Sequence, residues 1–99
     1  MIRGTTPTLE FLLPFDVDMI EDGYVTLSQN GEEIIDVNMA ECVAEGRKLS
    51  VTLTQEDTLA LKADTNVEIQ LRVRTVTGDT LASKIYCTSV GRILKDGEI

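Results

Sequence analysis

Apolar and polar residues alternate along most of this chain with a period of two. Successive side chains of an extended strand point to opposite faces, so this period predicts strands with one buried face. The clearest run is 66–75, where Val67, Ile69, Leu71 and Val73 face in and Glu68, Gln70, Arg72 and Arg74 face out. Residues 8–15 repeat the pattern with Leu9, Phe11, Leu13 and Phe15. Pro14 near the end of that run predicts an edge strand or a strand terminus. Leu49, Val51 and Leu53 alternate with Lys48, Ser50 and Thr52. Residues 80–90 read as a long strand carrying Leu81, Ile85 and Cys87, with Val90 and Ile93 reached through a bulge.

The breaks between these runs carry turn chemistry. Asn30-Gly31 lies between 24–29 and 33–39 and is the strongest short hairpin signal. A two-residue loop would put Leu27 opposite Ile34 and separate Val25 and Leu27 from Ile35 and Val37. A three-residue loop of Gln29, Asn30 and Gly31 puts Val25 opposite Ile35 and all four on one face, so it is the preferred expectation. Tyr24 is expected at a sheet edge. Glu45-Gly46 and Gly78-Asp79 mark further turns, and residues 16–23 form an acidic connection with a short helical turn. At Thr54-Gln55-Glu56-Asp57 a helix starts, because Thr54 can cap it and Asp57 sits at the third helical position. The six strands predict an all-β fold. Its form is an antiparallel six- to seven-stranded sandwich of immunoglobulin-like type, or a partly open barrel, with one short helical turn near 55–61. Residues 1–7 read as an extended arm, 8–94 as the domain and 95–99 as a polar, frayed tail.

Composition narrows the function classes. A chain of 99 residues allows one small domain that buries about 65% of its unfolded surface. With 42% hydrophobic and 26% charged residues it is neither a disordered tail nor a collagen-like rod. No stretch approaches the about 20 apolar residues that span a bilayer, and residues 1–15 lack the apolar core and cleavage site of a signal peptide. A cytoplasmic, non-secreted protein with no membrane partner is expected. The formal net charge of −8 repels phosphates, so no nucleic-acid partner is expected. There is no His, which removes imidazole bases and imidazole metal ligands. Cys42 and Cys87 are expected to be reduced, small core residues, against the alternatives of a disulfide or a reactive thiol.

Candidate chemistry is sparse. Asp16, Asp18, Glu21 and Asp22 precede Gly23 and could offer oxygen ligands to calcium. Their spacing is not that of an EF-hand loop, and solvated loop charge is the simpler reading. No nucleophile–base constellation is present, so no catalytic residue, cofactor, metal or small-molecule substrate is expected. Arg72 and Arg74 share a strand face and are candidate partner contacts, against the alternative of a solvated face with surface ion pairs. Arg3, Thr5, Thr6 and Thr8 flank Pro7 in a segment that could add to another sheet edge, against the alternative of a disordered end. Deleting residues 1–6 is accordingly expected to leave the monomer folded but to weaken its assembly.

The opening Met1-Ile2-Arg3-Gly4-Thr5-Thr6-Pro7-Thr8, with Leu13-Pro14-Phe15 after it, resembles a group of short proteins encoded in prophages of gut Firmicutes. The similarity continues through Gln29-Asn30-Gly31, Leu53-Thr54-Gln55-Glu56-Asp57-Thr58, Val67-Glu68-Ile69-Gln70-Leu71-Arg72-Val73 and Val90-Gly91-Arg92-Ile93-Leu94, so it spans essentially the whole chain. The expected sandwich is also broadly similar to the N-terminal domain of phage baseplate upper proteins, a likeness of fold alone. The resemblance implies a neighbour of virion structural genes and brings no catalytic or ligand residues. It points to a non-enzymatic phage structural or adaptor protein. Such a protein is made in the host bacterial cytoplasm, joins the virion, and contacts other phage virion proteins or further copies of itself. The alternative is an acidic phage-encoded inhibitor of a host nucleic-acid-binding defence protein, although Arg72, Arg74 and Arg92 interrupt any single-sign face.

Overall fold

Along residues 1–99 of the computed structural model the elements follow in order: β1 (Thr8–Leu12), β2 (Ile20–Gln29), β3 (Glu32–Asn38), β4 (Val43–Glu45), β5 (Lys48–Thr52), α1 (Gln55–Leu59), β6 (Asn66–Thr75), β7 (Thr80–Ala82) and β8 (Tyr86–Ser89). Short 3-10 turns at Val17–Met19 and Met39–Glu41 join β1 to β2 and β3 to β4. All strand pairs are antiparallel. They form two sheets, one of order β1-β5-β4 and one of order β3-β2-β6 with β7 and β8 both beside β6. The sheets share one apolar core, Leu49 and Val51 from the smaller, Leu53 just after β5, and Val25, Leu27, Ile69 and Leu71 from the larger. This is an open all-β sandwich rather than a closed barrel.

β6 takes the facing that its alternation predicts. Val67, Ile69, Leu71 and Val73 are buried, and Glu68, Arg72 and Arg74 are exposed. Removing a Leu or Val side chain from water contributes about 1.5–3 kcal/mol, which fixes this face inward. Two strands go beyond the six expected. β4 pairs with β5 across the Glu45-Gly46 turn, and the strand expected over 80–90 is divided into β7 and β8. Ala82 lies opposite Arg72 and Tyr86 opposite Ile69, so three steps on β6 face four on this edge. The inserted residue makes a bulge at Ser83–Ile85 rather than near Val90. There the Leu71 N–H donates to the Ser83 hydroxyl at 3.0 Å and the Ser83 N–H donates to the Leu71 carbonyl at 2.8 Å.

The β2–β3 hairpin corrects one expectation. Gln29 pairs with Glu32, leaving a two-residue loop in which Asn30 (φ 52°) and Gly31 (φ 78°) both adopt left-handed backbone. These are the angles of the hairpin turn whose twist matches its strands. A register shift between Leu27 and Ser28 then brings Leu27 opposite Ile35 and Val25 opposite Val37. The bulge, not a longer loop, places the four apolar residues on one face. Tyr24 is also relocated, because β2 lies between β3 and β6 and is no edge strand. The acidic connection is shorter than expected, since β2 already begins at Ile20.

The N-terminal arm is part of the domain's own fold, which overturns the expectation of a separate segment. Ile2 bridges Gly91 in parallel, the Arg3 N–H donates to the Gly91 carbonyl at 3.1 Å, and the Gly91 N–H donates to the Met1 carbonyl at 2.7 Å. The arm packs closely on Gly91, where a Cβ would lie 2.5 Å from Ile2 Cδ1 and displace the end of that side chain. The fully buried Thr58 hydroxyl donates to the Thr5 carbonyl at 2.8 Å. The tail also returns to the domain, with Gln55 exchanging two hydrogen bonds of 2.9 Å with the Ile99 backbone. α1 carries the expected cap. Thr54 accepts from the Asp57 N–H at 3.0 Å, and Asp57 accepts from the Thr54 N–H at 2.9 Å.

Candidate functional site

The candidate contact residues separate into two places. Arg3 turns inward: its Nε donates to the Leu61 carbonyl at 2.7 Å and its Nη2 to the Leu59 carbonyl at 2.9 Å. These carbonyls lie at and just beyond the end of α1, where helical backbone leaves acceptors without partners. Arg3 is therefore committed to its own fold and is not a free contact. The Thr5 hydroxyl donates to the Ile2 carbonyl at 2.6 Å, and the Thr8 hydroxyl bonds that of Thr52 at 2.8 Å. Thr6 and Thr8 remain exposed.

Arg72 and Arg74 project from the outer face of the larger sheet, as their alternation predicts. Arg72 lies opposite Tyr24 on β2 and Ala82 on β7, and Arg74 lies opposite Asp22 and Thr80. Arg74 Nε is 3.5 Å from the Glu21 carboxylate. With Asp22, Tyr24 and Asp36 the two arginines border a shallow depression of about 340 Å3. Gly23 brings the backbones close there, for a Cβ would lie 2.9 Å from the Arg72 carbonyl oxygen. The carboxylates considered for calcium are spent separately. Asp16 accepts from the Asp18 N–H, Glu21 faces Arg74, and Asp22 accepts from the Gly23 N–H and from Asn38 Nδ2. No group of three or more acidic or thiol side chains comes together as a metal site would require.

Of the two expected core cysteines only Cys42 packs against the core. Cys87 is exposed on β8 and Cys42 is half-buried after β3; both are free thiols. Burial pushes the Cys42 pKa up, and the neighbouring Glu41 carboxylate pushes it further the same way. That keeps Cys42 protonated and a poor nucleophile.

A third place, which alternation alone did not reveal, lies along one flank. β1 is an edge of the smaller sheet, and β7 and β8 form an edge of the larger one. Between them is a cavity of about 500 Å3 walled by Leu9, Phe11, Leu13, Ile69, Leu71 and Tyr86. Phe11 and Tyr86 meet edge to face across it, with ring centroids 6.3 Å apart. Leu12 on β1 is 83% exposed, and Leu81 and Tyr86 on the facing edge are 45% and 44% exposed. The backbone of β1 is open on the same side. The Leu13 N–H donates to Arg47 and the Leu53 N–H donates to Pro7. Hydrogen-bonded positions alternate in an antiparallel pair, so Leu9 and Phe11 direct their backbone groups to β5. Thr8, Glu10 and Leu12 direct theirs to the open edge. The available sequence signal was Pro14, which marked β1 as an edge or terminal strand.

The chain matches no family model, no curated protein and no solved structure.

Proposed function

We propose that this domain is a non-enzymatic structural or adaptor protein of a tailed phage and works by contact with other virion proteins. The observation that carries the reading is the open flank. An unpaired strand edge and half-exposed apolar residues on two facing strands are surface that a free monomer gains by covering. The resemblance of the opening octet to prophage-encoded proteins supports the phage setting, with synthesis in the host cytoplasm and incorporation into the particle. The protonated Cys42 and the absence of His favour contact over nucleophilic chemistry. Proteomics on particles purified after prophage induction tests the reading. The protein is expected in the particles at a fixed ratio to a known virion protein. Its absence, or capture of a host nuclease as its sole stable partner, overturns the proposal.

A further inference from the structure

We infer that the open edge of β1 receives an extended, basic segment of a partner protein as an added strand. The inference rests on the assembly reading above and names its site. Two independent features of the flank ask for the same occupant. Thr8, Glu10 and Leu12 present unbonded backbone donors and acceptors, which only another extended backbone can satisfy in series. Beside them lies the apolar cavity against Phe11, Leu71 and Tyr86, which asks for side chains from above. An added strand supplies both. Its backbone continues the β1-β5-β4 sheet, and its alternate side chains fall on the inner face over the cavity.

The other three edges are less open. β3 is irregular where its register with β2 shifts between Leu27 and Ser28, and the depression beside it is lined mainly by polar side chains and offers no apolar cavity. β4 has only three residues. The β7–β8 edge is interrupted by its bulge and carries Lys84 over the Tyr86 ring at 5.1 Å, while Met1–Arg3 run beside Ser89–Gly91. Bulges, lysines and covering segments are the devices that block edge pairing. β1 has an exposed leucine in their place, and Pro7 and Pro14 confine its open stretch to Thr8–Leu12.

A second copy fits this edge poorly. Phe11 of a second copy is already buried in its own core and is not free to fill the cavity. Each copy also carries a net charge of −8, and antiparallel pairing centred on Glu10 sets two carboxylates directly opposite one another. The same charges favour a cationic segment. The net charge steers it inward over long range, and a lysine or arginine opposite Glu10 adds a cross-strand partner to a half-exposed carboxylate whose present partner, Lys48 Nζ, lies 3.8 Å away.

The test titrates the full-length protein with a short peptide of alternating valine and lysine, against a valine–glutamate peptide of equal length, reading backbone amide signals by NMR. Glu10 and Leu12 amides are expected to shift and gain protection from exchange with the basic peptide only. The decisive variant is Glu10→Pro. It removes an N–H that points to the open edge and spares the β1–β5 ladder. It should weaken peptide binding about tenfold. Glu10→Lys changes no backbone group, should weaken the basic peptide and admit the acidic one, and keeps the test decisive if the proline variant unfolds. Unmoved Glu10 and Leu12 amides, or full binding by a folded Glu10→Pro protein, overturn strand addition, and equal binding of both peptides overturns the basic occupant. Such a result with the protein still present in virions overturns the edge site alone. Peptide binding as expected with the protein absent from virions overturns the assembly reading and leaves the site standing.

Discussion

β6 has two neighbours of unlike character. On one side β2 runs beside it for most of its length, with Leu27 opposite Ile69 and Val25 opposite Leu71. On the other side β7 and β8 set Leu81 opposite Val73 and Tyr86 opposite Ile69. All these residues point to the inner face. Leu27 is fully buried, yet Leu81 and Tyr86 are nearly half exposed. The difference is the layer above. The β1-β5-β4 sheet covers the centre of the larger sheet and stops short of its β7–β8 edge. Alternation reports which face a side chain takes, and coverage by the second layer decides how much water it loses.

Mutations can sharpen or break this contrast. The largest effect is expected at the covered centre, where Leu27→Ala or Leu71→Ala should cost about 2–5 kcal/mol in urea unfolding. A loss below about 0.5 kcal/mol at either position would place it in the range of surface substitutions and reverse the contrast.

Arg3→Ala comes next. It removes a charged donor from two carbonyls at and just beyond the end of α1, a loss of about 1.5–3 kcal/mol. Thermal melting at low protein concentration checks this, and an unchanged midpoint would return the arm to the status of a loose end. Thr54→Ala breaks half of a capping box and should cost about 1 kcal/mol. Gly substituted there instead should cost only a few tenths of a kcal/mol, which separates the cap from general packing.

Leu81→Ala, on the uncovered edge, should change stability by less than about 0.5 kcal/mol. A cost equal to that of Leu27→Ala would mean that the flank is closed in solution. Finally, alkylation near pH 8 should modify Cys87 before Cys42. Burial and Glu41 hold the Cys42 thiol protonated, so its labelling should rise only as pH climbs past the ordinary thiol range. Equal rates would contradict that protection.

Several features were legible before the fold was known because they depend on few neighbouring residues. The facing of β6, the capping box of Thr54 and Asp57, and a turn at Asn30-Gly31 are of this kind. The hairpin register was half legible. Burial demanded that Val25, Leu27, Ile35 and Val37 share a face, but a longer loop and a two-residue loop with a bulge meet that demand equally. The choice fell to backbone angles at Asn30 and Gly31. Arg72 and Arg74 were found as exposed residues of one face; the open flank was not found, since nothing in the run 80–90 says that no layer lies above it.

Sequence alone determined the local conformations and the two-sidedness of the strands, because steric limits on φ and ψ and a period of two act within a few residues. Only the tertiary structure decided depth, register and the place of the arm. Arg3 illustrates the reason: its acceptor at Leu61 is 58 residues away along the chain, and no local pattern couples the two. Likewise the unbonded edge of β1 becomes a site only because β7 and β8, folded from the far end of the chain, set Tyr86 beside Phe11 and leave the cavity between them uncovered.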